Sequence, residues 1–137
     1  MKKLIPAFLL VFSFLVSSPL FAEEQPLKSD FPTQITEVYL DTCPVMGGKI
    51  NKSVNTIFEN KLYYFCCAGC IKTFTGNIQK YSDKLVNAVE TVLKVTNKDG
   101  KCPVTGLEAQ LSFFKIDNEA KTITFYHDAE SMKNDLK

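Results

Sequence analysis

Hydrophobic and polar side chains form two pairs of short segments, and each pair predicts a β-hairpin. In the first pair, residues 54–58 alternate in character, the polar residues 59–61 follow, and residues 62–65 form an apolar run. In the second pair, residues 111–116 and 122–126 flank the polar residues 117–119. Short β-branched and aromatic runs separated by polar turn residues are typical of antiparallel strands.

A helical pattern lies between the two predicted hairpins. Asn77 is a suitable N-terminal cap, and apolar side chains then recur at helical spacing up to about Lys94: Ile78, Tyr81, Leu85, Ala88, Val89 and Val92. The polar residues 97–100 end this segment, because they include Gly100 and favour a turn. The sequence therefore predicts a connecting helix from Asn77 to about Lys94.

The first 22 residues have the pattern of a signal peptide. Lys2 and Lys3 precede an apolar run at 4–16, which is too short to span a bilayer comfortably, and Ala22 marks the expected cleavage site. We therefore expect a periplasmic or secreted protein with no membrane span after cleavage. The mature chain would begin with an N-terminal segment at 23–40 and has room for one ordinary domain or two very small ones.

The charge pattern argues against a nucleic-acid partner. Basic and acidic residues nearly balance, at 16 and 15, and the chain contains no Arg. It therefore lacks both a basic stripe and the forked guanidinium contacts that read bases and phosphates.

Five cysteines carry the candidate chemistry. Cys43 is followed after a gap by Cys66, Cys67 and Cys70, which crowd one short segment. Thiolates from two distant segments suit a soft or borderline metal ion such as Cu(I) or Zn(II). The alternative is disulfide pairing, which export favours. That alternative fits the pattern poorly, because the number of cysteines is odd and two of them are adjacent.

An internal repeat relates the cysteine cluster to the C-terminal part of the chain. Residues 43–47, Cys-Pro-Val-Met-Gly, recur at 102–106 as Cys-Pro-Val-Thr-Gly, and residues 64–72 align with 125–133. In this register His127 lies opposite Cys66, Asp128 opposite Cys67 and Ser131 opposite Cys70. The second copy has lost most of the thiols, so Cys102 is interpreted as a buried remnant. The alternatives are that Cys102 pairs with a first-copy cysteine or supplies a ligand across the repeat.

Residues 41–81 resemble the TRASH/YHS family of small metal-associated domains. The resemblance lies in Cys43, the Cys66-x3-Cys70 spacing, the aromatic run at 63–65, and Phe74 and Tyr81. Residues 101–137 are similar only at the Cys-Pro-Val-x-Gly turn and the aromatic strand. The family implies a treble-clef-like hairpin and helix, and roles in heavy-metal sensing, trafficking or resistance.

The repeat and the resemblance together predict an α+β fold of two tandem small modules. Each module would consist of a Cys-containing turn, a β-hairpin and a helix, with the connecting helix between them. The first, metal-binding module would span 41–96 and the degenerate second module 97–137. The aromatic residues of the hairpins are expected to be core: Tyr63, Tyr64, Phe65, Phe113, Phe114, Phe125 and Tyr126.

The expected site holds one metal ion per chain. Cys43, Cys66 and Cys70 would suit trigonal Cu(I), and Cys67 is the nearest fourth donor for Zn(II). His127 becomes a ligand only if the two copies face each other, and Met46 is a possible soft supplement. Cys70 is expected in the first turn of a helix, where its pKa would be lowered.

Three functions are compatible with this site, and no enzymatic activity is expected. The first is an exported heavy-metal-binding protein acting in trafficking, scavenging or resistance, with a membrane metal transporter or another exported protein as its partner. The second is a structural zinc module that docks a partner protein. The third is a dithiol redox protein, because Cys67 and Cys70 also have Cys-x2-Cys spacing.

Overall fold

The computed structural model describes residues 31–135, so the expected signal peptide lies outside the described residues. The described residues form six strands, three short α-helices and one 3₁₀ helix. In chain order these are β1 Gln34–Tyr39, β2 Asn51–Phe58, β3 Lys61–Phe65, α1 Ala68–Gly76, the 3₁₀ helix Ile78–Tyr81, α2 Ser82–Leu85, β4 Val89–Val95, β5 Gln110–Asp117, β6 Thr122–Tyr126 and α3 Ala129–Asn134.

The two predicted hairpins are present. Strands β2 and β3 pair antiparallel, as do β5 and β6, and α1 and α3 each follow the second strand of a hairpin. The turn of the first hairpin places Glu59 and Asn60 at positive φ. Asn tolerates this left-handed backbone better than most residues, which is consistent with a tight turn at this position.

The prediction of two tandem treble-clef-like modules is wrong. All six strands belong to one mixed sheet in the order β2-β3-β1-β4-β6-β5, and its edge strands β2 and β5 approach each other so that the sheet is nearly closed. The sequence interpretation missed β1 and β4, which pair antiparallel along their full length at the centre of the sheet. Strand β1 also pairs in parallel with β3, and β4 pairs in parallel with β6.

The physical reason for this fold is the size of the repeats. A unit of roughly 40 residues buries too little apolar surface to be stable by itself. Here β1 precedes the first repeat and β4 precedes the second. The pairing of β1 with β4 joins the two repeats into one sheet with a common core. We call this the shared core, and both units contribute to it: Ile35, Leu62, Tyr64, Leu93, Val95, Ile123 and Phe125.

The predicted connecting helix is also wrong. Asn77 does cap a helix, since its side chain accepts a hydrogen bond from the Lys80 amide, but that helix is the short 3₁₀ segment. Helix α2 ends at Leu85, and β4 begins at Val89. The apolar residues of 89–95 include three valines, which favour extended backbone, and Leu93 and Val95 alternate into the shared core.

A second cluster of buried side chains surrounds the predicted thiol site. We call it the site core, and it contains two of the cysteines: Val38, Cys43, Tyr63, Phe65, Cys70, Phe74 and Tyr81. The Phe74 ring stacks on Tyr81 at a centroid distance of 5.5 Å and packs against Phe65 at 5.2 Å. Helix α1 is thereby held against β3, which fixes the position of the thiols at its N-terminus.

Candidate metal centre

The Cys43 turn is closed by backbone hydrogen bonds. The Gly47 amide donates to the Cys43 carbonyl at 2.8 Å, and the Cys43 amide donates to the Gly48 carbonyl at 2.7 Å. Gly47 has a φ of 71°, a backbone conformation that glycine adopts without a steric penalty. The Lys84 ammonium donates to the Pro44 carbonyl at 2.8 Å and ties α2 to the turn. The Cys43 side chain is only 1% exposed.

The other three thiols lie where β3 ends and α1 begins. Strand β3 ends at Phe65, Cys66 and Cys67 form the junction, and Cys67 occupies the N-cap of α1. Cys70 lies in the first turn and is 2% exposed. The packing of Phe65 and Phe74 in the site core therefore determines where these sulfurs lie.

The structure brings Cys43, Cys66 and Cys70 together as the spacing predicts. Their three Sγ atoms all lie within 4.8 Å of one another, and the Cys66 and Cys70 sulfurs are 3.6 Å apart. Each of the five cysteines is free. This group could hold a metal ion, because three sulfur ligands can converge on one ion without a change of fold.

Cys67 lies beside this group. Its Sγ is 3.3 Å from that of Cys70, and its side chain is exposed. Within residues 31–135, however, the group of side chains close enough to hold an ion comprises Cys43, Cys66 and Cys70 without Cys67. Met46, the proposed soft supplement, is 71% exposed. Both side chains are therefore exposed, whereas Cys43 and Cys70 are buried.

The surroundings of Cys43 favour its thiolate form. Burial opposes ionisation of this thiol, but hydrogen bonds from the backbone amides of Met46, Cys66 and Val45 outweigh it and lower the pKa of Cys43 to about 7. The hydrogen bond with Cys43 raises the pKa of Cys66 above its ordinary value. A hydrogen bond with Cys70 lowers the pKa of Cys67.

The expectation of a lowered pKa for Cys70 is wrong. Burial, followed by hydrogen bonds with Cys67 and Cys66, raises the pKa of the Cys70 thiol well above its usual range. Desolvation in the site core outweighs the favourable field of the short helix α1. Cys70 is thus a protonated thiol that a metal ion would have to deprotonate on binding.

The second copy preserves the turn around Cys102. The Gly106 amide donates to the Cys102 carbonyl at 2.8 Å, and Gly106 has the same φ of 71° as Gly47. Cys102 is 2% exposed, as expected for a buried remnant. Burial opposes its ionisation, but the Thr105 hydroxyl and the amides of Thr105, His127 and Val104 lower the pKa of Cys102 to about 6.

Neither His127 nor Cys102 joins the three-sulfur group. The Nδ1 atom of His127 is 2.9 Å from the Glu108 carbonyl oxygen, which holds the ring against the second copy's own turn. Among residues 31–135, the group of side chains that could hold an ion does not include His127, so the condition for His127 as a ligand is not met. In the part of the chain that the structure describes, no second set of three potential metal ligands converges.

Sequence reasoning missed the residues that control the thiol charges. The amides of Val45, Met46 and Cys66 point at the Cys43 sulfur, and Lys84 holds the turn from outside. The Pro and Gly of the Cys-Pro-Val-x-Gly turn were a usable signal for this arrangement, since they fix a sharp bend whose amides converge on one point. No pattern in the sequence around Lys84 predicts its hydrogen bond to the Pro44 carbonyl.

Comparison with known proteins gives no match to a family model, to a curated protein or to a solved structure. Among residues 31–135, no helix combines the length and apolar character required to cross a membrane.

Proposed function

We propose that the protein is an exported heavy-metal-binding protein that takes up one Cu(I) or Zn(II) ion per chain and acts in metal trafficking, scavenging or resistance. The observation that carries the proposal is the convergence of the Cys43, Cys66 and Cys70 sulfurs within 4.8 Å of one another. The signal-peptide pattern at 1–22 and the resemblance of residues 41–81 to the TRASH/YHS family support export and metal handling.

The ligand set favours a thiophilic ion. Three thiolates satisfy trigonal Cu(I), whereas Zn(II) prefers a fourth ligand, for which Cys67 is the nearest sulfur. Cys43 supplies negative charge near neutral pH, because its pKa is about 7. Cys66 and Cys70 would release protons as they bind, so uptake should be accompanied by proton release.

The shared core is distinct from the site core, which favours an ion that is carried over an ion that is needed for folding. The shared core contains no cysteine, and both copies contribute to it. The fold therefore has apolar burial that is independent of the thiol site. We expect the reduced, chelator-treated protein to keep its β-sheet circular dichroism spectrum and a cooperative thermal transition. Added Cu(I) should raise the melting temperature, because it binds the native state preferentially.

Native mass spectrometry of the reduced protein, combined with thiol counting, tests the function directly. The expected result is one ion per chain after addition of Cu(I) or Zn(II), with competition by a coloured chelator giving the affinity for each. An unfolded apo-protein that becomes structured only with Zn(II) would replace the carrier by a structural zinc module. Protein that binds neither ion would contradict the proposal.

A dithiol redox protein is a second candidate, favoured by one observation. The Cys67 and Cys70 sulfurs lie 3.3 Å apart at the start of α1, where a Cys-x2-Cys pair could close to a disulfide. Turnover with a disulfide substrate, abolished by Cys67→Ser, would support this function. The presence of Cys43 and Cys66 against the same pair favours metal binding instead.

A further inference from the structure

The four thiols of the site differ sharply in their access to solvent. Cys43 and Cys70 are buried in the site core, Cys66 is partly buried, and Cys67 is exposed. Copper and zinc ions held by biological ligands exchange by direct attack of an incoming ligand, so the first sulfur to reach a bound ion must be accessible. Two of the three members of the converging group do not meet this requirement.

Cys67 is accessible to solvent, whereas Cys43 and Cys70 are buried. Its Sγ is 3.3 Å from the Cys70 sulfur, and the Cys70 sulfur is 3.6 Å from that of Cys66. The sulfurs thus form a short path from the surface to the buried group. An ion bound to Cys67 could be passed to Cys70 by a shift of a few ångströms.

The second copy provides an independent comparison for this position. Asp128 occupies the N-cap of α3, accepts a hydrogen bond from the Ser131 amide at 2.7 Å, and completes a capping box. Cys67 occupies the N-cap of α1 but makes no side-chain cap hydrogen bond. A thiol at this position therefore forgoes the stabilisation that Asp or Ser would give the helix. The Cys67 side chain is instead directed to the Cys70 sulfur, 3.3 Å away.

We propose that Cys67 is the receiving ligand of the site: it takes the metal ion from a donor whose bound ion is accessible to an incoming thiolate, and passes it to Cys70, Cys66 and Cys43. This inference rests on the proposed function and assigns Cys67 a kinetic role within it. It also requires the donor to present its ion where an incoming thiolate can reach it.

The transfer is a ligand exchange without oxidation or reduction. The Cys67 thiolate forms a bond to the ion, and one donor ligand leaves with its electron pair. The Cys70 thiol then loses its proton to water as its sulfur binds the ion. Cys66 binds in the same way, and the Cys43 thiolate binds without losing a proton. The remaining donor ligands leave with their electron pairs, and the bond to Cys67 breaks with its electron pair staying on the Cys67 sulfur. The ion keeps its charge, and solvent accepts the protons.

The test measures the transfer rate and the equilibrium affinity separately, in the full mature chain. Cu(I) is supplied as its coloured bathocuproine disulfonate complex, and loss of colour is followed by stopped flow. For Cys67→Ser we expect the affinity to stay within about threefold of wild type while transfer becomes at least about tenfold slower. Cys67→Asp should behave in the same way, since Asp can cap α1 and lacks the thiol.

Two control variants separate a role in transfer from a role in equilibrium binding. Cys66→Ser should lose affinity, because it removes a member of the converging group, and Cys102→Ser should change neither quantity. Circular dichroism confirms that each variant is folded. Unchanged transfer rates for both Cys67 variants would overturn the relay while leaving the proposed function intact. Loss of affinity in Cys67→Ser equal to that in Cys66→Ser would also overturn it, because Cys67 would then be a resident ligand.

Discussion

The two copies of the repeat place a cysteine in the same turn, yet only one copy gathers further sulfurs around it. Cys43 and Cys102 have matching backbone hydrogen bonds of 2.7 and 2.8 Å, and both thiols have lowered pKa values, about 7 and about 6. The Cys-Pro-Val-x-Gly turn thus stabilises a thiolate in either copy. A lowered thiol pKa in this fold comes from the turn together with the amide of Cys66 or His127 after the second hairpin strand, and it is not by itself a sign of a metal site.

The copies differ where the helix begins. The first copy has Cys66 and Cys70 beside its turn cysteine, whereas the second has His127 and Ser131 at the aligned positions. The Ser131 side chain is committed to the capping box of α3. The second copy therefore uses the junction between strand and helix for local stability, and the first copy uses it to collect thiols.

The largest expected difference is between Cys43→Ser and Cys102→Ser, which make the same change in the same turn. Cys43→Ser removes one of three converging ligands, and we expect Cu(I) affinity to fall at least about 100-fold, or about 2.7 kcal/mol. Cys102→Ser should leave the affinity within about twofold of wild type, since among residues 31–135 its sulfur belongs to no converging set of three ligands. Competition titration with a coloured Cu(I) chelator measures both. Equal losses in the two variants would show that the copies cooperate in one site.

The next prediction restores the missing thiols of the second copy. In the double variant His127→Cys/Ser131→Cys, Cys102 would have partners at the positions that match Cys66 and Cys70. Asp128 remains available to cap α3. We expect the variant to bind two ions per chain where wild type binds one, as counted by native mass spectrometry. A folded double variant that still binds one ion would show that equivalent turns do not place these side chains equivalently.

A smaller effect is expected in the pH dependence of stability. Folding lowers the pKa of Cys102 from 9.0 to about 6. A lowered pKa stabilises the folded state fully above the unfolded value, and this contribution is lost as the pH falls through the folded value. The melting temperature of wild type relative to Cys102→Ser should therefore decrease from pH 9 to pH 6, by at least about 5 °C. A constant difference across this range would contradict a Cys102 thiolate in the apo-protein.

The local features of this fold could be predicted from the sequence because nearby residues determine them. The turn residues at 59–61 and the alternation at 54–58 specify the first hairpin without reference to the rest of the chain. The Cys66-x3-Cys70 spacing places both thiols on the same side of the start of α1. The repeat in turn indicated that Cys102 would be buried in an equivalent turn, as it is.

The global features depend on pairing between distant segments, which no local pattern encodes. Strand β1 finds its partners in β3 and β4, and only that pairing explains why residues 89–95 are extended. The apolar residues at 78, 81, 85, 88, 89 and 92 fit a helix by spacing, but Val89 and Val92 are exposed in the sheet while Leu93 is buried. The same limit applies to Cys70, whose pKa depends on burial in the site core more than on its place in the helix.

X-ray absorption spectroscopy of the reduced protein with bound Cu(I) tests the central claim most directly. The three-sulfur group of Cys43, Cys66 and Cys70 predicts one copper per chain, surrounded by three sulfur ligands and no nitrogen ligand. Cys102→Ser should give the same spectrum, and Cys43→Ser should lose one sulfur. A copper with a nitrogen ligand from the single histidine, or two coppers held with similar affinity in the wild-type chain, would contradict the account.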